Sequence, residues 1–137
     1  MKFWIILFTP ETYDAVKKLN KIGVRSNVWK SFSESMAIGD QFIGYVSEKR
    51  LFDCLGEITS EASFEEKNIF PGEKAFPCRR KVEFNKIGLK HPSGDLFYGV
   101  APFNEKNTPP GNYLMIKGGF VEISKKDFDW LRKEIGS

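Results

Sequence analysis

The order of elements in this sequence predicts an α+β fold: a small curled, mixed β-sheet or barrel with flanking helices. Three observations carry that expectation. Short strand candidates outnumber helices, the two clearest helices stand near the chain ends, and no strand–helix–strand unit repeats.

Lys2 to Phe8 (KFWIILF) is β-branched, aromatic and almost continuously apolar, which predicts a strand buried on both faces. Thr9 is placed to cap a helix with Pro10 at its first position. Tyr13, Val16 and Leu19 follow at helical spacing, and Gly23 is the expected stop. Val24 to Lys30 (VRSNVWK) sustains no period and reads as a loop that carries a tryptophan; Ser31 to Met36 follows as one short helix before a Gly39-Asp40 turn. Gln41 to Val46 and Leu51 to Thr59 are expected strands joined at the charged tip Ser47-Glu48-Lys49-Arg50. Glu61 to Pro77 is acidic, then turn-rich around Pro71-Gly72, and reads as a long loop. Cys78 to Phe84, Leu96 to Ala101, Tyr113 to Lys117 and Phe120 to Ile123 are further strand candidates, with Gly118-Gly119 between the last two. Ser124 and Asp127 then open a terminal amphipathic helix with Phe128, Leu131 and Ile135 on its apolar face, where Trp130 is expected to pack.

A chain of 137 residues suits one domain, residues 1–137, with a core that needs no staples. The apolar and charged fractions, 41% and 28%, support neither a disordered nor a membrane protein. The aromatic fraction of 15%, with thirteen Phe, exceeds what one core needs and leaves rings for a binding surface. A net charge of +3 falls short of a dedicated duplex-binding arm, so nucleic acid is permitted without being demanded. Two cysteines, Cys54 and Cys78, without CxxC spacing suit a reducing compartment, and the N-terminal apolar run is too short for a signal peptide or a span. The cytoplasm is therefore the expected location.

Catalytic and cofactor signatures are sparse. His91, the one histidine, sits in KHPSGD, where Pro92 and Gly94 predict a surface turn rather than a base beside a nucleophile. Cys54, Cys78 and His91 have no zinc-site spacing, no phosphate-binding glycine loop is present, and Glu65-Glu66 lie in a loop that fixes no separation. We therefore expect no cofactor, no metal and no catalysis.

Trp29 is the sharpest positive feature. It lies in SNVWKS outside any apolar period, flanked by Asn27 and Ser31, side chains that can bond a base edge while an indole stacks on its face. Around it, WxxxxxPE near the N-terminus, NVWxS, a GD turn, a strand ending YVS, GEITSE, IFPGE, FPCRRKV and GGFVEIS resemble the EVE domain. That family belongs to the PUA-like superfamily and is related to the YTH domain. The matching stretches are Trp4 to Glu11, Asn27 to Ser31, Gly39 to Ser47, Gly56 to Glu61, Ile69 to Val82 and Gly118 to Ser124.

This resemblance implies a PUA-like curled mixed β-barrel with flanking helices and one concave pocket that reads a modified nucleobase, methylated cytosine or adenine, in DNA or RNA. It implies that Trp29 walls an aromatic cage with Ser31 as its small polar neighbour. It further implies that Trp4, Thr9 and Glu11 form the strand-to-helix corner, that Tyr45 and Ser47 border the pocket, and that Pro77, Arg79 and Arg80 match a P-x-R stretch. Arg79, Arg80 and Lys81 are then placed to meet flanking phosphates. Two other readings stay open: a general RNA-binding module like the PUA domain, and a nucleoside or RNA hydrolase like the ASCH relatives, which would recruit Lys30 and Glu11.

Overall fold

The computed structural model describes residues 1–72, 76–104 and 108–136. In it β1 (Phe3–Phe8) pairs in parallel with β3 (Gln41–Val46) on one side and antiparallel with β7 (Phe120–Ile123) on the other. Alternation along β1 explains its unbroken apolar run. Trp4, Ile6 and Phe8 enter one core cluster with Val16, Phe32 and Phe42, while Phe3 and Ile5 enter a second with Phe97, Leu114 and Phe128.

A parallel pair needs a crossover connection. Here the crossover holds α1 (Pro10–Leu19), β2 (Lys21–Val24), a 3-10 turn over Ser26–Val28, and α2 (Trp29–Glu34). Thr9 caps α1 as expected, accepting from the Thr12 N–H at 3.3 Å, with Pro10 in the first turn. The helix does not run on to Gly23. Asn20 takes the left-handed conformation at φ 53°, and Lys21–Val24 forms a strand against Arg80, Arg79 and their neighbours. What read as a loop around Trp29 is helical, and the short helix starts two residues earlier than its apolar residues indicate.

From β3 the chain turns at Ser47–Arg50 into β4 (Leu51–Ile58), then reaches β5 (Ser63–Phe64) and the long β6 (Cys78–Pro92). The sheet order is β2-β6-β4-β3-β1-β7, with β5 paired to β6. His91 lies on the last residues of β6, paired with Phe52, and the turn falls after it. Two expected strands are corrected. Leu96–Gly99 is a 3-10 turn, and Tyr113 to Lys117 belongs to α3 (Pro110–Ile116) and its C-cap. Pro110 presets the first helical turn and Leu114 alone buries, a pattern that the four-residue apolar run Tyr113–Ile116 cannot distinguish from a strand. The terminal helix α4 (Lys125–Glu134) is capped by Ser124 and buries Phe128 and Leu131. Trp130 packs over Gly99, where a Cβ would come within 2.4 Å of the indole. Among the described residues no helix is long and apolar enough to cross a membrane.

One polar network is sealed between the layers. The Tyr13 hydroxyl donates to Asp53 at 2.7 Å, Asp53 also accepts from the Lys90 N–H at 2.9 Å, and the Cys54 thiol lies alongside. Burial pushes the Cys54 thiol up to about 12 from an ordinary 9.0. Burial also raises the Tyr13 hydroxyl above the usual phenol range, with Cys54 and Asp53 adding to the effect. In the folded chain both groups stay protonated where the unfolded chain ionises. Their stabilising contribution is complete below the unfolded thiol value and is lost as pH rises from there towards the folded one. The urea midpoint is therefore expected to fall between about pH 8 and about pH 10. A thiol reagent is expected to label both cysteines only as fast as the chain unfolds. A flat stability profile, or rapid labelling of the native protein, would contradict this network.

Candidate functional site

A cleft of about 290 Å³ opens over the edge strand β7, and two of the expected site residues, Trp4 and Ser31, line it. Each flanking helix with its C-cap contributes a pair at one-turn spacing: Ser31 and the cap residue Ser35 from α2, Tyr113 and the cap residue Lys117 from α3. The floor comes from β1 and β7, where Trp4 meets Phe120 edge-on with ring centroids 5.7 Å apart, and Glu122 lies opposite Trp4 in the strand register. Apolar below, with hydroxyl, ammonium and carboxylate groups at the rim, it has the make-up of a small-ligand site.

The walls are held by two buried charges of opposite sign. Asp40, 2% exposed, accepts from three N–H groups: Lys2 at 2.9 Å, the Trp4 indole at 3.0 Å and Ala37 at 2.9 Å. It fixes the orientation of Trp4 and ties the segment after α2 to the start of β1. Arg80, 1% exposed, donates to the carbonyls of Phe32 (3.0 Å), Ser33 (3.2 Å) and Met36 (2.5 Å) at the C-terminal end of α2, and to Ser60 O at 2.9 Å. A guanidinium there meets the negative end of the helix and satisfies carbonyls that the helix leaves unpaired. Burial lowers the Arg80 pKa from its ordinary value, and the nearby Glu61 and Asp40 oppose that shift. Gly118 and Gly119, at φ 93° and 95°, carry α3 into β7 directly under Val28, where a Cβ on Gly118 would come within 2.6 Å of the valine. Gly119 O accepts from the Leu7 N–H at 2.8 Å, so α2, α3 and β1 meet at this junction.

The other expected residues are dispersed. Trp29 is half-buried and meets Phe64 edge-on, with centroids 6.0 Å apart and planes at 84°. A sandwiched base needs two roughly parallel rings about 7 Å apart, twice the carbon contact distance. This pair therefore encloses no base-wide slot between its own two rings. Asn27 and Lys30 are exposed beside Trp29. Thr9 is spent on the cap of α1, and Glu11 stands exposed in that helix's first turn. Ser47 donates its N–H to Phe8 O at 2.8 Å near the same corner. Tyr45 is core, packed on Phe52 and Phe97, and is not among the residues that line the β7 cleft. Pro77 is half-buried ahead of β6.

Arg79 and Arg80 are also corrected, because their guanidinium groups are not available to phosphates. Arg79 donates to Phe76 O at 2.9 Å and to Lys67 O, and forms an ion pair with Glu65 at 3.4 Å. The Ser63 hydroxyl, then Lys21 and Arg79, hold the Glu65 carboxyl below the usual carboxylate range, partly offset by burial. Arg79 and Arg80, with Lys21, Glu61, Glu65 and Lys81, line a second hollow of about 270 Å³ that is charged with both signs and has no aromatic ring in its lining. Among the described residues, no three His, Cys, Asp or Glu side chains gather to hold a metal, and Lys30 and Glu11 form no ion pair.

Sequence reasoning missed Ser35, Tyr113, Lys117, Phe120, Glu122 and Asp40. The spacing of Ser31 with Ser35, and of Tyr113 with Lys117, was the available signal once both segments are read as helices. Asp40 reads locally as a turn residue, and nothing near it in the chain reveals that its carboxylate is buried.

No protein-family model and no curated protein matches this chain in sequence. Solved structures do match in fold. The YTH domain of Mmi1 in complex with RNA superposes with a TM-score of 0.70 at 14% identity, covering 98% of this chain and 80% of that one. The Pho92 YTH domain in complex with m6A gives 0.71 at 14%, covering 99% and 86%. The protein PSPTO5229 from Pseudomonas syringae gives 0.63 at 18%, covering 97% and 99%. The chain therefore has the curled α+β architecture of YTH domains, as the element order predicts.

Replacing Arg80 by Met leaves four carbonyls without their donor and is expected to cost about 3–5 kcal/mol in urea unfolding, whereas Met at the exposed Lys81 costs about zero. Asp40→Asn, which keeps the shape and loses the charge, is expected to cost about 1.5–3 kcal/mol and to shift tryptophan emission. Equal stability of R80M and K81M would refute the clamp.

Proposed function

We propose that this chain is a non-catalytic, EVE-type module that binds nucleic acid by taking one modified, methylated nucleobase into the cleft over β7. The observation that carries this reading is the cleft itself: an apolar floor of Trp4 and Phe120, the ring of Tyr113 at one side and two serine hydroxyls at the other. Its volume of about 290 Å³ lies at the small end of ligand sites and suits a single base rather than a dinucleotide. Stacking supplies roughly 1–3 kcal/mol per base without a large positive field, which fits a net charge of +3. Lys117 stands at the rim, where the sugar-phosphate of an extruded nucleotide would emerge. The fold supports the same reading, since the Pho92 and Mmi1 YTH domains are complexed with m6A and with RNA.

The test is a fluorescence titration with short single-stranded oligonucleotides, each offered with and without one N6-methyladenine or 5-methylcytosine. The methylated strand is expected to bind more tightly, and Tyr113→Ala is expected to weaken it by about fivefold to a hundredfold. Equal affinity for both strands with a steep salt dependence would replace this reading by general RNA binding. Turnover of acylated nucleosides or RNA would replace it by hydrolysis.

A further inference from the structure

We infer that Glu122 is the specificity-determining residue of the β7 cleft, reading the amino edge of the base; this rests on the base-binding reading above. Glu122 is the single carboxylate that lines the cleft among the described residues. In the antiparallel pair of β1 and β7 it stands directly opposite Trp4, and opposed residues project from the same face. Its carboxylate therefore borders the indole that forms the floor.

Its present partner is weak. Lys2 Nζ lies 3.9 Å away, both side chains are about half exposed at 45% and 51%, and Glu122 accepts no hydrogen bond from the described residues. Such a pair is easily broken. A carboxylate at the mouth of a site for a polyanion repels phosphates, so its presence favours binding only if N–H donors on the ligand compensate. An exocyclic amino group supplies them, as in a carboxylate accepting from cytosine N4. A keto oxygen in the same place would face the carboxylate oxygens and be rejected. A singly N-methylated amino group keeps one N–H, and a doubly methylated one keeps none.

Calorimetric titration of the protein with N6-methyladenosine, N6,N6-dimethyladenosine and uridine tests the assignment. The wild type is expected to bind the first about tenfold or more tightly than the other two. Glu122→Gln, which offers an amide donor in place of one oxygen, is expected to erase that gap and improve uridine binding with an unchanged melting temperature. If the gap persists in E122Q while Tyr113→Ala weakens binding, the cleft reading stands and Glu122 is not the reader. If no nucleoside binds, or binding ignores Tyr113→Ala, the cleft reading falls and the assignment with it.

Discussion

The architecture around the cleft depends on two buried ions that grip the same stretch of chain from opposite ends. Arg80, projecting from β6, collects the carbonyls of Phe32, Ser33 and Met36; Asp40, four residues further on than Met36, collects the N–H groups of Ala37, Lys2 and Trp4. Neither ion forms a salt bridge among the described residues. Each is solvated by backbone dipoles and, for Asp40, by one indole. That arrangement tolerates a buried charge because every neighbouring dipole points the right way, and it fails as a unit because Arg80 donates to several carbonyls and Asp40 accepts from several N–H groups. A short helix of six residues such as α2 has little stability of its own, so its position on the barrel is set by this clamp.

For the proposed base site, the consequence of this clamp is rigidity where recognition would need it. With α2 fixed, Ser31 and Ser35 keep their distance from β7; with the Trp4 indole bonded to Asp40, the floor keeps its orientation. The glycine pair between α3 and β7 brings Tyr113 and Lys117 round the edge of the sheet by allowing the chain to pass under Val28. A base entering such a site meets preorganised groups and loses little affinity to their ordering. The Trp29 and Phe64 rings illustrate the contrary case. Stacked edge-on against each other, they satisfy their own surfaces and would have to separate before a ligand could lie between them.

Much of the fold was legible because it is written locally. A continuous apolar run marked β1, the charged tip Ser47–Arg50 between two strand-like segments marked β3 and β4, and Thr9 and Ser124 marked the helix starts they cap. Other parts were hidden for stateable reasons. The second half of β6, from Asn85 to Lys90, is largely exposed and alternates only through Ile87 and Leu89 around Gly88, too short a signal to mark a strand without its pairing with β4. In α3 one buried Leu114 among exposed Met115 and Ile116 gives no period to read. The candidate site was legible in part. Trp4 and Ser31 meet in the cleft, but Arg79 and Arg80 look like a solvated basic run, and apart from Phe76 O the acceptors that bury them lie more than ten residues away in the chain. Tyr45 carries the look of a strand end and is core, because Phe52 and Phe97 close over it.

The central claim, that recognition occurs over β7 and not at Trp29, is most directly tested by two-dimensional NMR of backbone amide and tryptophan indole N–H groups. The titrant is a short single-stranded RNA carrying one methylated base. The account predicts that shifts concentrate on Ser31, Ser35, Tyr113, Lys117, Glu122 and the Trp4 indole, with the Trp29 indole little moved. Shifts centred on Trp29 and Phe64, or on the Lys21 and Lys81 hollow, would contradict it.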